Sequence, residues 1–367
     1  MKFYCSTDSL AEMVSVVQKA ISTRSTLPIL DGILIVTEDR GIRLTGYDLE
    51  TGIEAFIQAD IVSPGQIVLS SRLFGDIVRK LSEEQVKIES DDNLNVTIES
   101  GASVFSIKGL SADSYPRIPI VSDEDKLTMS QSLLKDMIRQ TIFAVSTDES
   151  RPVLNGCLVS CDGFIVEVVA IDGFRMAIRK RLIGDDLPKM KYLIPGKAMN
   201  EVGKILSGKN EDIVIYSSRN HIMFDIGDIR LVSRLIQGEY MNYKAVMPTS
   251  SATTLTIATK DLLSAMERAA LIIISDEKRC PVNFYMETED TMIIRADSTM
   301  GNMREEIPVS IVGEMIDIDF NPRFLIDALR VIEKDEITLR CNGNIGPCVI
   351  CPVEGDDFHY LVLPLRK

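Results

Sequence analysis

Leu44-Thr45-Gly46-Tyr47-Asp48, Val169-Ala170-Ile171-Asp172-Gly173 and Ile294-Arg295-Ala296-Asp297 are three versions of one phrase, an apolar strand that ends on a turn carboxylate. The aspartates stand 124 and 125 residues apart, and a motif that recurs at fixed distance marks a repeated structural unit. The surroundings repeat in the same order. Upstream lie amphipathic segments at 8–21, 130–143 and 259–272. Leu10, Met13, Val14, Val17 and Ile21 in the first, and Leu134, Ile138 and Ile142 in the second, have the spacing of one helical face.

Between helix and phrase comes a proline-bearing lead into a strand: Leu27-Pro28-Ile29-Leu30-Asp31-Gly32, Arg151-Pro152-Val153-Leu154-Asn155-Gly156 and Arg279-Cys280-Pro281-Val282-Asn283. Downstream, second helices are predicted at 70–81, 196–206 and 322–333. Strands then start at Val86/Ile88, Ile213/Ile215 and Ile337/Leu339, with hairpin turns at Asp91-Asp92-Asn93, Arg219-Asn220 and Asn342-Gly343-Asn344. Each unit therefore holds two helices and antiparallel strands in about 120 residues, an ordinary domain size. The fold class is α+β, with three domains of one topology at 1–125, 126–250 and 251–367, joined by polar linkers at 122–126 and 249–254.

The composition suits a soluble globular chain: of 367 residues, 45% are hydrophobic and 26% charged. No apolar run approaches the roughly 20 residues that span a bilayer, and polar Ser6, Thr7 and Asp8 follow the start too closely for a signal peptide. A cytoplasmic protein without membrane partners is expected. The seven cysteines have no framework spacing and read as reduced thiols. Cys341, Cys348 and Cys351 include a C-x-x-C, but a structural zinc site takes four ligands and only His359 is near. Buried strand thiols are the better reading, and no metal or cofactor is expected.

Catalysis is not legible. Asp48, Asp172 and Asp297 are the tempting acidic trio, yet they occupy equivalent places in three separate domains, too far apart to share a metal. Turn closure explains them more simply. The two histidines, His221 and His359, lie near no nucleophile motif, and no Walker A, G-x-S-x-G, H-E-x-x-H or G-x-G-x-x-G is present. Asn95-Val96-Thr97 matches a glycosylation acceptor that has no meaning in a cytosolic chain.

The formal net charge of −14 argues at first against nucleic acid. Charge is unevenly spread, however. The spans 8–24, 70–81, 131–143, 196–209, 259–270 and 322–334 together carry +6, which leaves −20 for the rest. Positive helices in an acidic chain suit a surface that faces phosphates, although lysine and arginine are also good helix formers. Few aromatics lie on these spans, so base stacking is not indicated.

Met1-Lys2-Phe3, Leu27-Pro28-Ile29-Leu30, Leu44-Thr45-Gly46-Tyr47-Asp48-Leu49-Glu50, Ala170-Ile171-Asp172-Gly173-Phe174-Arg175-Met176 and Leu363-Pro364-Leu365-Arg366 resemble, in order and over the whole chain, the bacterial beta sliding clamp family of DNA polymerase III beta subunits. The resemblance implies a non-catalytic, head-to-tail homodimer that closes into a ring, with helices lining the hole. The ring encircles duplex DNA without sequence preference and tethers the replicative polymerase, conferring processivity. DNA-facing positions implied by family and helix are Arg24, Arg72, Arg79, Lys80, Lys135, Arg139, Lys197, Lys204, Arg323 and Arg330. Interface hydrophobics correspond to Phe105, Ile107, Ile273 and Ile274.

The family's cleft for short linear peptides, carried by polymerases, the clamp loader and repair proteins, maps to two groups of residues. One is Leu154, Ile171, Gly173, Phe174, Arg175 and Met176; the other is Met241, Val246, Leu361, Val362, Leu363, Pro364, Leu365 and Arg366. The chain departs from the commoner pattern at Phe174 (often histidine), Met241 (often proline) and Ala245 (often basic), so a more apolar cleft is expected. Asp148, Pro152 and Val153 replace polar or aromatic residues of a DNA-contacting loop, which puts that contact in doubt. The terminal run 361–365 is read as a partly exposed wall rather than a hidden strand. The competing readings are an open peptide-binding scaffold that never encloses DNA and a DNA-processing enzyme built on the aspartates.

Overall fold

The computed structural model describes residues 1–22, 27–121, 125–273 and 281–365, apart from the side chains at 125 and 185–188. It forms two compact units, one of 1–132 with 201–235 and one of 133–200 with 236–367. Six helices are present among the described residues: α1 Thr7–Val17, α2 Ser71–Val78, α3 Gln131–Arg139, α4 Gly196–Ile205, α5 Thr259–Ile272 and α6 Pro322–Leu329. The mixture of helices and antiparallel sheets is the α+β class expected.

Local chemistry sets the helix starts. The Ser6 side chain accepts the Ser9 N–H before α1, with Asp8 in the first turn. Asn321 caps α6 by accepting the Arg323 N–H, and Pro322 occupies the first turn, where no N–H is required. The ends differ from expectation. All but α5 stop short, and after α1 and α3 the chain continues through 3-10 turns at Gln18–Ala20 and Ile142–Ala144, which bury Ala20 and Ala144. One turn of 3-10 helix keeps nearly the same face as one turn of α-helix, so periodicity could not separate them.

In the first unit a twelve-stranded sheet runs Ser103–Lys108, Asn95–Ser100, Gln85–Ser90, Lys2–Ser6, Thr51–Ser63, Ile229–Arg234, His221–Ile226, Asp212–Ser217 and Asp125–Ser130, with three further strands branching from it. The long strand Thr51–Ser63 makes this possible. Its first half pairs with Ile229–Arg234 through Ile53↔Leu231, and its second half pairs with Lys2–Ser6 through Ile61↔Phe3. Inward-facing Phe3, Ile53, Ile88 and Val96 are fully buried and supply the core together with Leu10 and Val14 of α1.

The second unit holds a seven-stranded sheet, ordered Gly156–Ile171, Arg175–Pro195, Phe358–Val362, Cys348–Pro352, Glu336–Cys341, Thr253–Ala258 and Ser310–Gly313. It also holds a four-stranded sheet, ordered Gly301–Pro308, Thr291–Ser298, Val282–Met286 and Asp317–Phe320. The second and third repeats join where Met176 pairs with Leu361 and Ala177 with Tyr360. Sheet hydrogen bonding thus runs across repeat boundaries, and the second repeat contributes strands to both units.

The turn carboxylates behave as expected in two repeats only. Asp48 Oδ1 accepts the N–H groups of Glu50 and Thr51, and Asp172 Oδ1 accepts those of Phe174 and Arg175. In the third repeat Asp297 lies inside the strand Thr291–Ser298, paired with Asn302. Ser298 takes over the turn, accepting the Met300 N–H while its hydroxyl donates to the Ile272 carbonyl. A hydroxyl and a carboxylate close such turns by the same hydrogen bond, so the sequence aligned the wrong residue. Cys341, Cys348 and Cys351 are buried free thiols; the first two face each other across a strand pair, and Cys351 contacts the Thr338 carbonyl.

Candidate functional site

The turn after the strand Gly156–Ile171 builds the most distinctive surface of the second unit. Gly173 has φ +95°, a left-handed conformation that a side chain would strain. The turn it permits presents Phe174 to solvent at 62% exposure and directs Arg175 inward. The Arg175 guanidinium donates to Asp172 Oδ2 at 2.9 Å, to Asp327 Oδ2 at 2.6 Å and to the Phe143 carbonyl at 2.7 Å. It also lies 4.6 Å from the Phe324 ring centroid and 5.5 Å from that of Phe143. Phe174 stacks on Phe324 with centroids 6.3 Å apart and planes 23° apart.

Beside this turn, Leu154, Ile171, Met176 and Leu361 belong to one buried cluster with Tyr240, Tyr243 and Val349. They form a floor rather than an open surface. The exposed apolar groups of the expected cleft are Phe174, Met241, Val246, Leu363 and Leu365, with Pro364 half-buried. The terminal run, expected as a partly exposed wall, divides in two. Leu361 and Val362 complete the buried strand Phe358–Val362, and only 363–365 lie beyond it. That tail is held as irregular chain, with the Leu363 N–H donating to the Phe174 carbonyl and the Leu365 N–H to the Asp319 carbonyl. Arg366 lies outside the described residues.

Sequence reasoning missed Phe324 and Phe143, which no local signal ties to Arg175, and the anchors Tyr240 and Tyr243. Two tyrosines three apart in the connection between strands were the available clue. The Tyr243 hydroxyl donates to the buried carboxylate of Glu167. Burial, reinforced by Glu167, pushes the Tyr243 hydroxyl's pKa up, so it remains a donor.

The expected DNA-facing cations sort into two groups. Arg79 pairs with Asp76 at 2.7 Å, Lys204 with Glu201 at 2.7 Å, Arg330 with Glu267 at 2.8 Å, and Arg139 with Asp136 at 2.7 Å and Glu333 at 2.5 Å. Arg72, Lys80 and Arg323 are exposed and form no ion pair among the described residues. Lys135 is half-buried and Lys197 exposed, and each has an interaction partner. Arg24 lies outside the described residues.

The helix charge also needs correction. Within the observed bounds, acidic and basic side chains balance, and the surplus read from sequence comes from the parts of those spans outside the helix bounds, which carry Lys19, Arg24, Arg79, Lys80, Lys209, Arg330 and Lys334 against Glu333. Unsatisfied carbonyls at helix C-termini favour cations there. In the loop 148–153, Asp148 and Pro152 are exposed and Val153 packs against the buried cluster.

Phe105 and Ile107 are half-buried on Ser103–Lys108, a free edge of the twelve-stranded sheet, beside exposed Val104. Ile273 is half-buried just after α5, next to Leu271 at 82% exposure, and Ile274 lies outside the described residues.

Three family models match in sequence: the N-terminal domain of the DNA polymerase III beta subunit at residues 1–119, its central domain at 128–242 and its C-terminal domain at 244–366. The beta sliding clamp of Halalkalibacterium halodurans is 35% identical over the full length of both chains. Among solved structures, a putative DNA polymerase III beta subunit from Eubacterium rectale is 37% identical and superposes with a TM-score of 0.96, covering all of both chains. The DNA polymerase sliding clamp from Bacillus subtilis, 34% identical, also superposes at 0.96, covering 100% of this chain and 99% of the other. The chain therefore belongs to the DNA polymerase III beta subunit family, the beta sliding clamps, and is a non-catalytic processivity factor of DNA replication.

Proposed function

We propose that two copies associate head to tail around duplex DNA and that each copy offers the surface around Phe174 to linear peptides of the replicative polymerase, the clamp loader and repair proteins. The observation that carries the peptide reading is the aliphatic and aromatic rim, Phe174, Met241, Val246, Leu363 and Leu365, over the buried floor of Leu154, Ile171, Met176 and Leu361. An apolar groove with few polar groups suits an extended peptide with aliphatic or aromatic anchors. Gly173 shapes the rim, Arg175 holds it, and Val362 supports it from within the sheet.

Free strand edges support the dimer. Ser103–Lys108 ends one sheet and Gly301–Pro308 ends another, and unlike edges on one chain favour heterologous, ring-closing contact. Phe105, Ile107 and Ile273 would add apolar burial there. On the DNA side, Arg72, Lys80 and Arg323 are the cations most available to phosphates, with Arg79, Lys135, Arg139, Lys197, Lys204 and Arg330 as support. Such contacts are sequence-independent and salt-sensitive. Enclosure lets weak contacts suffice and holds tethered partners at high effective concentration.

The decisive experiment loads the protein onto nicked circular DNA with a clamp loader and then cuts the circle. Retention on the circle and loss from the linear molecule is the expected result. Equal retention on both would refute enclosure, and a strict monomer by light scattering at micromolar concentration would refute the dimer.

A further inference from the structure

A second recess lies in the same unit. The segment from Ile236 to Met247 crosses the sheet face of strands Gly156–Ile171 and Arg175–Pro195, fixed by Tyr240 and Tyr243 in the buried cluster and by Ile236 and Met247 against it. This segment bounds a cavity of about 530 Å³ whose lining includes the buried Leu158, Met190 and Tyr240. Met241 lines that cavity and also stands among the rim residues of the proposed peptide groove. Met241 is thus common to the cavity lining and to the proposed rim.

The cavity rim carries a positive surplus in a chain whose net charge is −14. Lys189 is engaged by Asp162 at 3.3 Å, so those charges offset one another. Lys191 and Lys244 remain against Glu239 alone, and neither lysine forms an ion pair among the described residues. The Lys244 ammonium lies instead 5.9 Å from the ring centroid of Tyr243. Exposed lysines over an apolar floor suit an acidic side chain whose stem packs on methionine and leucine.

We propose that this cavity receives an acidic flank of the same linear peptide whose apolar anchors occupy the groove around Phe174. The proposal rests on that groove reading. It makes Lys191 and Lys244 specificity-determining residues that rank partners by the charge beside their anchors rather than by the anchors themselves. Met241, common to both sets of residues, marks where the chain passes from one recess to the other.

The test uses the full-length protein and fluorescein-labelled Ala-Leu-Ala-Leu-Phe, extended at either end by Asp-Asp or by Ser-Ser, with binding read by anisotropy. The Asp-Asp extension at one end is expected to bind about fivefold tighter than Ser-Ser. The gain should vanish in 1 M salt and in the double variant Lys191→Glu/Lys244→Glu, while affinity for the unextended peptide is unchanged. Normal core binding with no gain from either end would overturn the cavity proposal and leave the groove standing. A gain that persists in the double variant would also overturn it. Failure of the unextended peptide to bind would remove the groove reading and the cavity proposal together.

Discussion

Arg175 Nη1 donates to Asp327 Oδ2 at 2.6 Å, so a turn of the second repeat holds the second helix of the third. The same guanidinium satisfies Asp172 and the Phe143 carbonyl and lies against two phenyl rings. Its side chain is only 13% exposed. Arg175 thus acts as a positioning residue for the rim rather than as a free hand for a ligand.

Arg175→Met should destabilise the second unit by about 3 kcal/mol, since it leaves two carboxylates and a carbonyl without their shared donor. Arg175→Lys should recover little, because one ammonium cannot reproduce the planar fork. Urea denaturation of both variants measures this. Wild-type stability in Arg175→Met would show that the network contributes nothing.

Phe174→Ala removes an exposed ring and should leave stability nearly unchanged, losing at most about 1 kcal/mol of stacking on Phe324. Peptide affinity should fall about tenfold or more, as expected when an aromatic anchor of a binding site is truncated. Calorimetric titration with an apolar-anchored peptide gives the comparison, and unchanged affinity would place the groove elsewhere.

Asp172→Asn keeps the oxygen that closes the turn but loses the charge facing Arg175. A cost of about 1–2 kcal/mol is expected from weakening a charge-assisted bond, with no loss of polymerase stimulation at temperatures where the variant is folded. A catalytic defect in a folded variant would revive the enzyme reading.

Among the cations, Arg72→Glu, Lys80→Glu and Arg323→Glu should shorten residence on circular DNA more than Arg79→Glu or Arg330→Glu. The latter two are already held by Asp76 and Glu267. Neutralising a residue that contacts one phosphate lowers the log–log salt slope by about one. Equal effects from the two groups would mean that the ion pairs open on DNA.

His359 gives a pH test. Burial holds its pKa below the ordinary value, opposed by Asp356 and reinforced by Lys180 and Arg340. The unfolded chain therefore takes up a proton that the folded chain resists. Stability from this source is complete above about pH 6.5 and declines as pH falls toward the depressed folded value. Replacing His359 with Gln should flatten the melting temperature between pH 7 and pH 5 relative to wild type; an identical slope would exclude the residue.

Much of this was readable one repeat at a time. The spacing of Leu10, Val14 and Val17, the Asp48 and Asp172 turns, and the alternation that starts at Val86, Ile213 and Ile337 are local patterns, and each became the element that its period predicted. Helix ends were less legible, because Ala20 and Ala144 are buried through 3-10 turns that share a face with the helix before them. The Asp297 alignment failed for a similar reason: Ser298 makes the same hydrogen bond one residue later.

Sequence alone determined the triplication, the α+β class and the family, because these depend on patterns within a short stretch of chain or on their recurrence. Tertiary structure decided which residues are available. It placed Leu361 and Val362 inside a strand, left Leu363 and Leu365 beyond it, and gave Arg79 and Arg330 ion pairs that Arg72 and Arg323 lack among the described residues. Availability depends on what lies across a sheet or on a neighbouring helix, and such neighbours are distant along the chain, Asp327 standing 152 residues from Arg175 and Glu333 standing 194 from Arg139.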